Sequence, residues 1–312
     1  MMRGRMAEQP SVLMIFTGGT ISMRIVPGRG ALPASGGKEI LESVPKLATL
    51  AKITCEDFDR LPGPHWTPDR MLDLARLIDT RLAEGDFVGA VITHGTDTIE
   101  ETAYLLDLVL TTDKPVVLTG AMKTADDPSW DGPANLTAAV REVSTAPTGV
   151  FVVMAGRTHP AREVVKAHTD SFTAFVSTEP SKPRERIRID RIEPQVDLIA
   201  AAAGADGRFL RHAVATGARG IVIEALGSGN VPPRMLEAAR EAVVGGTPVV
   251  VASRCRGGKT SATYGYEGGG VTLQDAGAIF SGDLPASKAR IKLMVLLGAG
   301  RDPAAIRRAF EA

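Results

Sequence analysis

Short apolar runs alternating with longer amphipathic stretches constrain this chain more than any other feature. Runs of this kind read as strands buried on both faces, with the amphipathic stretches packed over them as helices. That is the pattern of parallel α/β units. The spacing predicts strands over 12–16, 53–58, 89–93, 116–118, 150–154, 196–200, 220–224 and 249–253. The clearest predicted helix runs over 68–84. Thr67 offers a cap, Pro68 takes the first helical position and Gly85 stops it. Met71, Leu74, Ala75, Ile78 and Leu82 recur at helical spacing, so this stripe faces the sheet as core. Further helices are expected over 99–110, 136–143, 234–244 and 287–297, and a last one is opened by Asp302-Pro303.

A chain of 312 residues can build two cores. A polar, charged stretch with Pro180, Pro183 and Pro194 separates them. The expected organisation is a larger N-terminal domain over 8–180, with a mostly parallel sheet flanked by helices. A linker over 181–194 and a smaller α/β C-terminal domain over 195–312 follow. The run Lys182-Pro183-Arg184-Glu185-Arg186 reads as solvated linker, and Gly268-Gly269-Gly270 as a mobile surface loop.

Charge excludes some partners. Lys plus Arg equals Asp plus Glu, 36 each, so no bulk field draws the chain to nucleic acid or to an anionic membrane. No apolar run precedes the first strand as a signal peptide would, and none is long enough to span a bilayer. The expected location is the cytoplasm. Cys55 and Cys255 lie far apart without a CxxC neighbour, so they make neither a disulfide framework nor a zinc site. Two reduced, partly buried thiols are expected, and no metal.

Two turns carry candidate chemistry. Thr17-Gly18-Gly19-Thr20-Ile21 follows the first strand, where ligands gather beyond the carboxyl ends of an open α/β sheet. Its glycines admit close backbone approach and its threonines offer hydroxyls. A dinucleotide fingerprint would space its glycines as GxGxxG, and here they are adjacent. Taken alone, the segment fits a plain tight turn equally well. His94-Gly95-Thr96-Asp97-Thr98 ends the strand over 89–93 and opens a helix whose free N–H groups suit a carboxylate or an oxyanion. Asp97 alone fits a helix cap, and His94 alone a hydrogen-bonded core histidine. A threonine hydroxyl needs a base to become a nucleophile. Lys166, desolvated beside a threonine and held by a carboxylate, is a candidate, although its sequence context also fits a surface lysine.

Together these segments resemble a known family. Residues 12–21 and 91–108 are similar to the two signature motifs of bacterial-type L-asparaginases and glutaminase-asparaginases. A third match runs over 114–122 and continues through Asp131-Gly132-Pro133-Ala134-Asn135-Leu136. The likeness covers nearly the whole chain from Val12 onward. It implies an amidohydrolase that converts L-asparagine to L-aspartate and ammonia without a cofactor. L-Glutamine or D-asparagine is the alternative substrate, and a catalytically weak ligand-binding homologue the alternative function. By this resemblance Thr20 is the nucleophile forming an acyl-enzyme, and Thr96, Asp97 and Lys166 form the second catalytic group. The substrate site comprises Gly19, Gly63, Pro64, His65, Gly95, Thr96, Asp97 and Ala121, with Asn230 supplied by the neighbouring subunit of a homodimer or homotetramer.

The chain departs from that pattern in three places. The loop over 22–37 lacks the tyrosine that many relatives place there. Gly63-Pro64 stands where relatives carry Ser-Gln, which grip the substrate's carboxylate and amine. His65 either compensates or points to solvent beyond a simple turn. Glu267 is only a loose match to an acidic residue some relatives contribute from a second subunit.

Overall fold

The computed structural model describes residues 9–178 and 182–312. The expected domain edges at 8 and 180, the first linker residue at 181 and most of the N-terminal segment therefore lie outside the described residues. Two compact units meet in sequence between Arg186 and Ile187.

In chain order the first unit contains β1 (Ser11–Gly18), β2 (Met23–Val26), β3 (Gly30–Pro33), α1 (Gly37–Glu42), β4 (Lys52–Leu61), α2 (Pro68–Glu84) and β5 (Gly89–Thr93). Then come α3 (Ile99–Val109), β6 (Val116–Thr119), α4 (Gly132–Val143), β7 (Val150–Met154), β8 (Arg157–Pro160), β9 (Val165–Lys166) and β10 (Phe175–Val176). The main sheet has the order β4-β1-β5-β6-β7-β8, parallel throughout except for the antiparallel edge strand β8. After β1 the chain crosses to β4 on one side, then returns to β5 on the other. The sheet therefore has its switch point between β1 and β5, the place beyond the carboxyl ends of the strands where ligands bind in open sheets of this kind.

β1 and β5 are nearly wholly buried because both sheet faces are covered, which is why they read as continuous apolar runs. α2 starts and ends as its sequence predicts. The Thr67 hydroxyl accepts from the Arg70 N–H at 3.3 Å, and Met71, Leu74, Ala75, Ile78 and Leu82 are buried. The Met, Leu and Ile side chains among these each contribute roughly 1.5–3 kcal/mol by leaving water. Lys114 caps the other end, donating to the carbonyls of Leu82 (2.8 Å) and Gly85 (3.2 Å). α4 begins before the expected residue 136, because Pro133 fits its first turn.

The second unit holds β11 (Val196–Ala200), α5 (Arg208–Ala215), β12 (Gly220–Ala225), α6 (Pro233–Val244), β13 (Val249–Ser253), α7 (Gly270–Asp275), β14 (Ile279–Phe280), α8 (Ala286–Gly298) and α9 (Pro303–Glu311). Its sheet is parallel, in the order β11-β12-β13-β14. Asp302 caps α9 by accepting from the Ala305 N–H at 2.7 Å.

Four expectations are corrected. The basic run is solvated only in part: Lys182, Pro183 and Arg186 are exposed, but Arg184 Nε donates to the Asp107 main-chain carbonyl at 2.9 Å and pairs with its carboxylate at 2.9 Å, both side chains being mostly buried. The carbonyls at the end of α3 need donors, and this arginine supplies them. The glycine patch is not a surface loop: Gly268, Gly269 and Gly270 are buried against backbone, and α7 starts there. Both cysteines are free and exposed rather than partly buried. The segment over 22–37 is structured as the β2–β3 hairpin, pinned by Asp126, which accepts from the Ile25 N–H (2.6 Å) and Arg24 Nη1 (3.3 Å).

Candidate functional site

Because β1, β4, β5 and β6 run parallel, the turns that follow them lie at one sheet edge. Glycines let three of these turns stack backbone on backbone. Gly19 (φ 79°) lies so close to the next turn that a Cβ there would fall 2.5 Å from the Gly95 nitrogen. A Cβ on Gly95 would in turn fall 2.7 Å from the Cα of Gly63. Gly63 opens the single 3₁₀ turn Gly63–His65, and its carbonyl accepts from the Thr98 hydroxyl at 2.9 Å. Thr20 and Thr96 each follow one member of the Gly19–Gly95 contact, so the two hydroxyl-bearing turns are held together at the switch point.

Thr17 does not offer its hydroxyl to this site. It is fully buried and donates to the Thr93 carbonyl at 2.6 Å, tying the ends of β1 and β5. Thr20 is half-buried and begins a short 3₁₀ turn, steadied by Ser22, whose hydroxyl donates to the Gly19 carbonyl at 2.8 Å.

Lys166 lies on β9 and reaches the second turn. Its Nζ donates to Thr96 Oγ1 at 2.9 Å and to Asp97 Oδ1 at 2.7 Å. Thr96 is buried and the lysine side chain is 16% exposed, whereas Asp97 is 60% exposed, so the carboxylate alone faces water. Asp97 does not cap α3: the cap position is Thr98, and the carboxylate turns to the lysine instead. The arrangement joins a hydroxyl, an amine and a carboxylate in one hydrogen-bonded chain, the composition of a proton relay.

The remaining candidates are placed differently. His94 is a core residue. Its Nδ1–H donates to the Gly95 carbonyl at 2.9 Å, since a carbonyl can only accept, and Nε2 then accepts from the Thr102 hydroxyl at 2.9 Å. Burial pushes its pKa down to about 4, so the ring is neutral. Trp66 packs on it at 4.5 Å between ring centroids. Pro64 and His65 are exposed on the 3₁₀ turn. Ala121 is fully buried in the turn after β6. In the second unit, Asn230 Oδ1 accepts from the Gly270 N–H at 3.2 Å, and Glu267 is exposed. Among the described residues no group of three or more His, Cys, Asp or Glu is placed to hold a metal ion, and no helix is long and apolar enough to cross a membrane.

Sequence reasoning did not single out Asp131 and Asn135 as supports of this edge. The Asp131 carboxylate accepts from the N–H groups of Met122 and Lys123, all at 3.0 Å. The Asn135 amide donates to Asp131 (2.9 Å) and to the Gly120 carbonyl (3.0 Å). Their i, i+4 spacing at the start of α4 was the available signal, since it puts both on one helix face.

An open sheet with these turns gathered at its switch point defines the class, a doubly wound α/β protein with its candidate site where such sheets bind ligands. Residues 11–197 match the family description "Asparaginase, N-terminal", and residues 195–310 match "Glutaminase/Asparaginase C-terminal domain". A probable L-asparaginase of Deinococcus radiodurans is 39% identical over 331 residues, covering 97% of this chain and 98% of that protein. A probable periplasmic L-asparaginase of Haemophilus influenzae is 31% identical over 335 residues, covering 98% and 93%. The crystal structure of a probable cytoplasmic L-asparaginase from Campylobacter jejuni superimposes with a TM-score of 0.87 at 29% identity, covering 97% of this chain and 99% of that one. The chain belongs to the asparaginase family.

Proposed function

We propose that this protein hydrolyses L-asparagine to L-aspartate and ammonia. The observation that carries the reading is the Thr96–Lys166–Asp97 chain, one residue beyond the backbone contact that brings the Thr20 turn to it. Thr20 Oγ adds to the side-chain carboxamide carbon, and its proton passes through the Thr96–Lys166 relay to the departing nitrogen. Ammonia leaves and an ester to Thr20 remains. Water, giving up its proton to the same relay, cleaves that ester and returns the proton to Thr20. Asp97, the exposed member, grips the substrate's ammonium group, and main-chain groups around Ala121 lie near the reacting amide. Ammonia release tests this with L-asparagine, D-asparagine, L-glutamine and a blocked asparagine. L-Asparagine is expected to be fastest. A faster L-glutamine or D-asparagine would change the substrate, and no release from any would leave a ligand-binding protein.

The active form we propose is a homodimer or homotetramer in which Asn230 completes the neighbour's site. Exposed apolar side chains such as Phe172, Phe209 and Val244 are consistent with surfaces that pair. Light scattering on the assayed sample should give a multiple of 32.8 kDa. We place the protein in the cytoplasm. The named relatives include a cytoplasmic and a periplasmic protein, so this rests on two exposed free thiols, which suit a reducing compartment.

Gly63 sets the grip on the substrate's carboxylate. It offers no hydroxyl, Pro64 has no N–H, and His65 stands out on the exposed turn. Losing one hydrogen bond to a charged group costs about 1.5–3 kcal/mol, so weak binding is expected. A Cβ at Gly63 would lie 3.3 Å from the Cβ of Asp97, close enough to require a small shift but not blocked by backbone. Gly63→Ser would bring its hydroxyl beside Asp97 and is expected to lower KM by about tenfold, the equivalent of one modest hydrogen bond. An unchanged or higher KM, with kcat retained, would show that the carboxylate is held elsewhere.

A further inference from the structure

Lys166 is gripped at both ends by α3 and the turn that leads into it. Its Nζ meets Thr96 and Asp97, and its main-chain N–H donates to Glu100 Oε2 at 2.5 Å. Thr96 and Asp97 lead into α3, and Glu100 is that helix's second residue. The lysine otherwise sits on a strand of two residues, paired antiparallel with β10 through Lys166↔Phe175 and Val165↔Val176. The neighbouring Ala167 N–H donates to the Ala174 carbonyl at 2.7 Å. So short a ladder does little to fix where Lys166 Cα sits relative to α3. A hydrogen bond from the helix itself does much more.

We propose that Glu100 is a positioning residue for the Thr96–Lys166 relay, a reading that rests on the function proposed above. Its carboxylate fixes the main chain of Lys166 against the turn that carries the relay's other members. The flexible side chain then starts from a set point and ends on two set partners. Glu100 does not touch the reacting atoms. Without it, Lys166 Nζ can still follow the exposed Asp97 carboxylate, but its register on the buried Thr96 hydroxyl loosens. The requirement is for an acceptor oxygen at this reach, not for a negative charge.

Three variants separate reach from charge. Glu100→Gln keeps an acceptor oxygen at the same reach without the charge. Glu100→Asp keeps the charge but withdraws it by one methylene, and Glu100→Ala removes both. The expected result is Gln within about threefold of wild-type kcat, and Asp and Ala down about 10–100-fold, the scale of a 1 Å misplacement. KM should stay within about twofold, and the pH profile of kcat for Gln should superimpose on that of wild type. Should Glu100→Ala fail to fold, the Gln–Asp comparison decides alone. Wild-type kcat in Asp, or a Gln variant as slow as Ala, would overturn the proposal. So would KM rising in step with the loss of kcat. Lys166→Met, assayed alongside, keeps the two readings apart. A dead Lys166→Met beside a fully active Glu100→Asp would sink only the positioning role. An active Lys166→Met would sink the relay itself.

Discussion

Thr20→Ala is expected to remove turnover by about four orders of magnitude or more, the scale seen when a covalent nucleophile is deleted. The fold should survive. Thr20 is only half-buried, and its turn is held by others: the Gly19 N–H donates to the Leu61 carbonyl at 2.9 Å, Ser22 closes back on Gly19, and Ile21 is buried. Deleting a hydroxyl and a methyl group from such a position costs on the order of 1 kcal/mol or less. The check is ammonia release together with circular dichroism and a thermal melt. In wild type, rapid acid quenching followed by mass spectrometry should place an acyl adduct on the peptide containing Thr20, absent from the variant. An unchanged rate in a folded Thr20→Ala would remove the covalent mechanism altogether.

The frame of this protein was legible in its sequence because burial on both faces leaves a plain mark. The strands at 89–93, 150–154 and 249–253, nearly wholly buried, have the bounds that their apolar runs and flanking turn residues indicate. What stayed hidden depends on partners far away in the chain. The β2–β3 hairpin takes its place from Asp126, a hundred residues on, and nothing local in 22–37 announces it. The edge strand β8 and the two-residue strands β9 and β10 are too short to show a period. The glycine patch at 268–270 looked mobile because glycine signals backbone freedom. Here the absence of a Cβ serves close packing instead, with a Cβ on Gly268 falling 2.0 Å from the Val231 carbonyl oxygen.

The candidate site divides in the same way. Strand-end turns are readable, so residues 17–21 and 94–98 stand out in the sequence alone. That Gly19, Gly95 and Gly63 pack on one another was not readable, because adjacent glycines do not say which backbone will approach. Asp97 illustrates the ambiguity well. Its position before a helix suits a cap, yet the cap falls to Thr98 and Asp97 turns to a lysine 69 residues on. Glu100 has the sequence context of an ordinary acidic residue in a first helical turn, where the dipole favours one. Only the placement of β9 gives it a second task.

Lys166→Met is the sharper test of that chain of contacts, and a fall in kcat of about 10²–10⁴-fold is expected, the usual contribution of a positioned proton-transfer group. Methionine retains most of the length and the apolar stem of a side chain that is 16% exposed, so packing around β9 changes little. The main-chain N–H is untouched, and the bond to Glu100 persists in the variant. The loss therefore reports the amine and not the strand. Asp97→Asn should be comparably slow for a different reason. The amide oxygen can still accept from Lys166 Nζ, but the charge facing water at the site is gone, and with it the grip on a substrate ammonium. The two variants should therefore differ in KM: near wild type for Lys166→Met and raised for Asp97→Asn. If Lys166→Met keeps most of wild-type activity, the hydroxyl of Thr96 must pass its proton to another acceptor; if Asp97→Asn does, the substrate ammonium is held elsewhere.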